Sequence, residues 1–179
     1  DIYFDGNKPP SLLSSDKSLS HSVELYSLTK GFSMAGWRVG FAVGNKDAIS
    51  SVTKLKSYID YGTFQPIQIA STVALNELEE YPFELSSVYK ERRELIVENL
   101  EDLNFSVQES TATMFVWAKL PEKFRNDSLK FSLELLEKSN VAISPGVGFG
   151  KYGEGYIRIA LVENKQRIRQ AMKNIKAAL

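Results

Sequence analysis

The chain has 179 residues, 43% of them hydrophobic, with Lys+Arg and Asp+Glu equal at 22 each. That length and apolar content suffice for a buried core, and the balanced charge provides no overall field to draw in nucleic acid or an anionic membrane. With no cysteine and a single histidine, His21, the chain itself supplies no disulfide, thiolate nucleophile, thiolate metal site or multi-histidine metal site. No apolar run approaches the roughly 20 residues of a membrane span, so the composition reads as soluble and globular.

The chain opens at Asp1 without a methionine and runs directly into the strand-like Ile2-Tyr3-Phe4, so it reads as the interior of a longer protein. Asp5-Gly6-Asn7, Pro9-Pro10 and a serine-rich stretch then break regular structure up to about residue 20. His21 falls in this polar loop. Ser22 to Leu28 reads as a short strand, and after a turn with Gly31 and Gly36 the alternation predicts a second strand over Trp37 to Val43. There Trp37, Val39, Phe41 and Val43 share one face, while Arg38, Gly40 and Ala42 share the other, where small residues leave room for a ligand.

Helices are predicted over Lys46 to Tyr61, apolar at Ile49, Val52, Leu55 and Ile59, and over Pro66 to Glu80. Between them Tyr61-Gly62-Thr63-Phe64 is either a plain connector or part of an active-site or dimer rim. The longest helical pattern, Pro82 to Leu103, repeats Leu85, Val88, Tyr89, Leu95, Ile96, Leu100 and Leu103 at steps of three and four, with solvated charges opposite. Beyond it, strands over Phe105 to Gln108, Met114 to Lys119, Val141 to Ser144 and Tyr156 to Val162 alternate with a helix over Leu129 to Lys138. A closing helix over Lys165 to Leu179 starts at an Asn164 cap. Gly146-Val147-Gly148-Phe149-Gly150 has the outline of a dinucleotide loop, but no helix start follows it and the preceding strand is too short.

The chemistry concentrates between Tyr26 and Gly44, around Lys30. A lysine amine condenses with a carbonyl only in its neutral form, and a cofactor aldehyde is the obvious partner. Ser27, three residues before Lys30, and Arg38, eight after, supply a hydroxyl and a guanidinium, two of the donors a phosphate monoester needs. Ser-x-Thr-Lys alone marks no more than a surface lysine in a turn. The longer run, Ser-x-Thr-Lys-x-x-x-Met-Ala-Gly-Trp-Arg-x-Gly from Ser27 to Gly40, resembles the lysine motif of class I/II aminotransferases, fold-type I enzymes that use pyridoxal 5'-phosphate (PLP). The resemblance implies that Lys30 is the Schiff-base lysine and that Ser27 and Arg38 bind the cofactor's phosphate.

Arg158 lies in Tyr156-Ile157-Arg158-Ile159-Ala160-Leu161 with apolar residues on the opposite face, and an arginine so placed needs an anionic partner. Glu154 or Glu163 could be that partner. Tyr-Ile-Arg-Ile-Ala also resembles the aminotransferase strand whose arginine grips the substrate α-carboxylate in a bidentate fork, and Ser144-Pro145-Gly146-x-x-Phe149-Gly150 resembles the loop between these strands.

The resemblance runs through the whole chain and implies an α/β protein of the PLP-dependent transferase fold type I, present as its C-terminal portion. Residues 1–81 would be the end of the large PLP-binding domain, 82–103 an interdomain helix and 104–179 the α/β small domain. It further implies transamination between an amino acid and a 2-oxo acid by a cytoplasmic homodimer, with the fragment alone inactive. The aspartate at the pyridine nitrogen, a glycine-led phosphate loop and an aromatic residue stacked on the ring would lie upstream. Asn7-Lys8-Pro9-Pro10-Ser11, Asp60-Tyr61-Gly62-Thr63-Phe64 and Val162-Glu163-Asn164 resemble alanine-forming glutamate–pyruvate aminotransferases, with the diaminopimelate and aspartate enzymes as neighbours. A PLP-sensing domain of a transcription regulator, a related PLP lyase or synthase, and a dimer-forming piece without activity would share the lysine motif.

Overall fold

The computed structural model describes residues 2–6, 8–125 and 127–179, and the chain divides into two units, Asp1–Ser86 and Ser87–Leu179. Asp1 and Asn7, read above as part of a strand end and the break after it, lie outside the described residues.

In the first unit β1 (Val23–Ser27) pairs antiparallel with β2 (Gly40–Gly44), setting Val23 opposite Gly44 and Ser27 opposite Gly40. The strand expected over Trp37 to Val43 therefore starts late. Ala35–Trp37 is a 3-10 turn, closed by the Trp37 N–H on Met34 O at 3.2 Å, and Arg38 follows with φ 52° and ψ 50°. The alternation that put Arg38 on a strand face with Gly40 and Ala42 is corrected here. A left-handed residue cannot continue the pleat, and it serves instead to turn the chain from the 3-10 turn into β2.

Helix α1 (Leu28–Gly31) begins where β1 stops, with Ser27 Oγ accepting the Thr29 N–H at 3.2 Å as its cap. Helix α2 (Lys46–Ile59) starts at Asn45, whose Oδ1 accepts the Ala48 N–H at 2.9 Å; α3 (Gln65–Glu77) carries proline in its first turn. Both end short of the expected bounds. After α2 the Asp60 carboxylate pairs with Lys56 and accepts the Gly62 N–H at 3.0 Å, and Tyr61 turns left-handed at φ 56°. The core here is small, Leu28, Met34 and Ala74 with Tyr26, Phe32, Val39 and Ala70 packed around them.

Helix α4 (Tyr81–Asp102) runs across the division between the units. In the second unit β3 (Ser106–Val107), β4 (Phe115–Lys119), β5 (Ser144–Pro145) and β6 (Tyr156–Ala160) form an antiparallel sheet in the order β3-β4-β6-β5. The strand expected over Val141 to Ser144 shrinks to Ser144–Pro145. Asn140 ends α5 (Ser128–Ser139) in the left-handed region at φ 55°, and the Val141 N–H goes to Ser139 Oγ at 3.2 Å instead of to the sheet. Helix α6 (Lys165–Ala178) is capped by Asn164 as expected, its Oδ1 accepting the Arg167 N–H at 3.0 Å.

Period-two alternation divides this sheet cleanly. Val116, Ala118 and Ile157 face a core with Ile96 and Leu100 of α4, Phe131 and Leu135 of α5, and Ile168, Met172 and Ile175 of α6. Each such side chain contributes about 1.5–3 kcal/mol of burial. The alternate positions, Phe115, Trp117, Tyr156 and Arg158, are only partly buried and form the sheet's other face.

Candidate functional site

Three of the four residues singled out in the sequence lie together at the junction of β1, α1 and β2. The Leu28 N–H and the Ser27 hydroxyl both reach Val39 O, each at 3.4 Å, which ties the start of α1 to the residue after Arg38. Ser27 Oγ also lies 2.9 Å from Thr29 Oγ1, so a second hydroxyl stands beside the first. The strands approach closely because residue 40 is glycine: a Cβ there would lie 2.5 Å from Tyr26 O.

Lys30 sits in the single turn of α1 with an exposed side chain, and Arg38 is exposed with one guanidinium N–H on Ala35 O at 3.0 Å. Among the described residues no carboxylate pairs with either cation. The Lys30 amine and the remaining donors of Arg38 are thus available, whereas the Ser27 hydroxyl is engaged locally with Thr29 and Val39 O. The left-handed backbone at Arg38 is unfavourable for a residue with a Cβ by roughly 1–2 kcal/mol. Such conformations concentrate where a side chain must be aimed at a ligand.

Arg158, the fourth residue, belongs to the second unit, in β6 opposite Trp117 of β4 and Ser144 of β5. Neither carboxylate considered above engages it. Glu154 Oε1 accepts the N–H groups of Ser128, at 2.6 Å, and Gly155, at 2.8 Å, and these bonds hold its carboxyl below the usual glutamate range. Glu163 lies 3.9 Å from Arg167. Arg158 instead contacts two rings, with Cζ 4.2 Å from the Phe115 centroid and 4.0 Å from that of Phe149. An open depression of about 320 Å³ beside it is lined by Gln108, Glu109, Ser110, Thr113, Phe115 and Trp117 among others.

The two rings were not picked out as functional in the sequence. Each lies in a stretch that carries the resemblance, Phe149 in Ser-Pro-Gly-x-x-Phe-Gly and Phe115 in Met114-Phe115-Val116-Trp117-Ala118-Lys119-Leu120-Pro121, but the place of Phe115 beside Arg158 comes from the β4–β6 register.

An amine, a hydroxyl and a guanidinium free of carboxylates form a donor set that fits a phosphorylated aldehyde, and PLP is such a compound. Residues 3–175 match the family model for Aminotransferase class I and II, and the chain belongs to that family, whose cofactor is PLP. It is 52% identical over 180 residues to AatC of Rhizobium meliloti (strain 1021), covering 100% of this chain and 44% of that protein. With the glutamate–pyruvate aminotransferase AlaC of Escherichia coli (strain K12) it shares 44% identity over 178 residues, 99% of this chain and 43% of AlaC. The aromatic aminotransferase from Pyrococcus horikoshii OT3 superposes with a TM-score of 0.91 at 26% identity, over 99% of this chain and 48% of that one. The fold is thus the α/β fold of the PLP-dependent aminotransferases, and the chain spans less than half the length of the relatives it matches.

Proposed function

We propose that the full-length protein is a PLP-dependent aminotransferase that moves an amino group between an amino acid and a 2-oxo acid. The observation that carries this reading is the gathering of Ser27, Lys30 and Arg38 at one strand end, with both cations free of carboxylates among the described residues. PLP, when bound, supplies an electron sink for the pair left at the substrate Cα when its proton departs. Ser27 Oγ and the Arg38 guanidinium would hold the phosphate, contacts made equally in ground and transition states, so they would act on affinity more than on rate. Lys30 Nζ would hold the cofactor's aldehyde carbon and would serve as the base that takes the proton from the substrate Cα. Arg158 would receive the substrate α-carboxylate on its planar fork.

Likeness to AlaC supports glutamate and pyruvate as the substrate pair. Residues 1–81 then close the large domain, 82–103 link it to the small domain at 104–179, and the protein works as a cytoplasmic homodimer. In the full-length protein Lys30→Ala is expected to lose the visible absorbance of lysine-bound cofactor and several orders of magnitude in turnover of alanine with 2-oxoglutarate. A Lys30→Ala protein with unchanged spectrum and near-normal rate overturns the reading.

A further inference from the structure

Among the described residues no carboxylate and no hydrogen-bond acceptor engages the Arg158 guanidinium, yet it does not project freely. Phe115 and Phe149 touch it from two different elements, at 4.2 and 4.0 Å from their ring centroids. Ring faces attract a cation without consuming its N–H groups, so the fork stays charged and its donors stay available.

The rings are themselves held. Phe115 is opposite Ala160 in the ladder, which puts it on the same sheet face as Arg158. Phe149 meets Trp117 edge-on, centroids 5.8 Å apart, and Trp117 stacks on Tyr156 at 5.5 Å with 16° between the planes. The 3-10 turn Gly146–Phe149 that carries Phe149 is pinned by backbone crossing backbone: a Cβ on Gly146 would lie 2.0 Å from Gly153 O.

We propose that Phe149 and Phe115 are positioning residues that pre-set the Arg158 fork for a carboxylate, and so govern the affinity of every α-carboxylate substrate while standing apart from the reaction at Cα. This rests on the reading of Arg158 as the carboxylate-binding residue. A long arginine side chain loses rotamer freedom when it grips an anion, and contacts made beforehand reduce that loss. The effect belongs to ground and transition states alike, so it enters KM and leaves kcat.

The test uses the full-length, PLP-loaded protein with Phe149→Leu, Phe149→Tyr, Phe115→Leu and Arg158→Lys. Steady-state kinetics are read together with calorimetric binding of propanoate, a carboxylate that cannot react. Each leucine variant is expected to raise KM for both the amino and the oxo acid, and Kd for propanoate, by about 3- to 30-fold. Over the same series kcat and PLP affinity stay within about twofold, and Phe149→Tyr, which keeps the ring face, restores the original values. On the Arg158→Lys background, Phe149→Leu is expected to add little, because the group it positions has gone. Unchanged KM in the leucine variants, or full additivity with Arg158→Lys, overturns the proposal while the carboxylate role of Arg158 stands. A kinetically silent Arg158→Lys overturns that role, and the positioning with it. Phe149 is half exposed, so its replacement spares the core; if Phe115→Leu does not fold, the Phe149 series decides.

Discussion

At Arg38 a left-handed backbone, a single backbone hydrogen bond and an exposed guanidinium coincide. Losing one charge-assisted contact to a phosphate costs about 1.5–3 kcal/mol. Arg38→Ala in the full-length protein is therefore expected to weaken PLP binding by roughly 10- to 150-fold, with turnover at saturating PLP little changed. Equilibrium titration checks this, and an unaltered PLP affinity removes Arg38 from the phosphate site. Asp16 shows the same economy of placement away from the site. Its carboxylate accepts the His21 N–H at 2.8 Å, the Ser22 hydroxyl at 2.8 Å, and further bonds from Ser18, Ser20 and the Ser22 N–H. The His21 bond first, then that of the Ser22 hydroxyl, hold it well below the ordinary aspartate range. A lowered carboxyl pKa stabilises fully above the unfolded value, near 3.9, and that contribution fades only as pH falls toward the folded value. Asp16→Asn is expected to lower the melting temperature at neutral pH, and the gap from wild type should narrow only in acid below the ordinary range. A gap that stays constant as the pH falls through and below the ordinary aspartate range would show that Asp16 titrates normally, because equal folded and unfolded values leave stability independent of pH.

Among the elements, the turn Gly146–Phe149 and the crossing at Gly153 show how a motif read only as a loop acquires a shape. Neither Gly146 nor Gly153 has a positive φ; what each requires is the absence of a Cβ, since backbone lies where one would stand. Gly146→Ala is expected to cost about 1–3 kcal/mol by overpacking and to lower the melting temperature by several degrees. Because the turn carries Phe149, the same substitution should raise KM for carboxylate substrates. Thermal melting and kinetics on one preparation check both, and a stable Gly146→Ala with unchanged KM would disconnect the turn from Arg158.

For the molecule as a whole, the two units differ in how much each can bury. The second unit's main core contains thirteen buried residues among those described, against three in the cluster under Lys30. Helix α2 buries none of its residues and leaves Val52 56% and Tyr58 79% exposed, and β1–β2 is a two-stranded sheet, marginal on its own in water. In the 179-residue chain, amide hydrogens of β4, β6 and α6 are expected to exchange more slowly than those of β1, β2 and α2. The same imbalance bears on function. A Schiff base alone is reversible and unselective, so residues 1–179 by themselves should bind PLP weakly and turn over no substrate, while the full-length protein does both. Parallel PLP titration and assay of alanine with 2-oxoglutarate test this; full activity in the short chain would show that the site needs nothing more.

Helix placement, the Asn164 cap and the grouping of Ser27, Lys30 and Arg38 were legible in the chain itself, because periodicity, capping and short spacings are local properties and these three residues lie within twelve positions. The conformation of Arg38 was not, because alternating apolar residues from Trp37 to Val43 carry no mark of the 3-10 turn that delays the strand. The surroundings of Arg158 were still further from reach. Glu154 and Glu163 were its near neighbours in sequence, yet the first caps the start of α5 and the second lies near Arg167. Phe115 reached the arginine only through the pairing of β4 with β6, and Phe149 only through the folding of its turn. Charge and spacing along the chain therefore determined which residues could bind an anion, whereas the β4–β6 register, which joins residues tens of positions apart, and the geometry of the Gly146–Phe149 turn decided which groups surround Arg158.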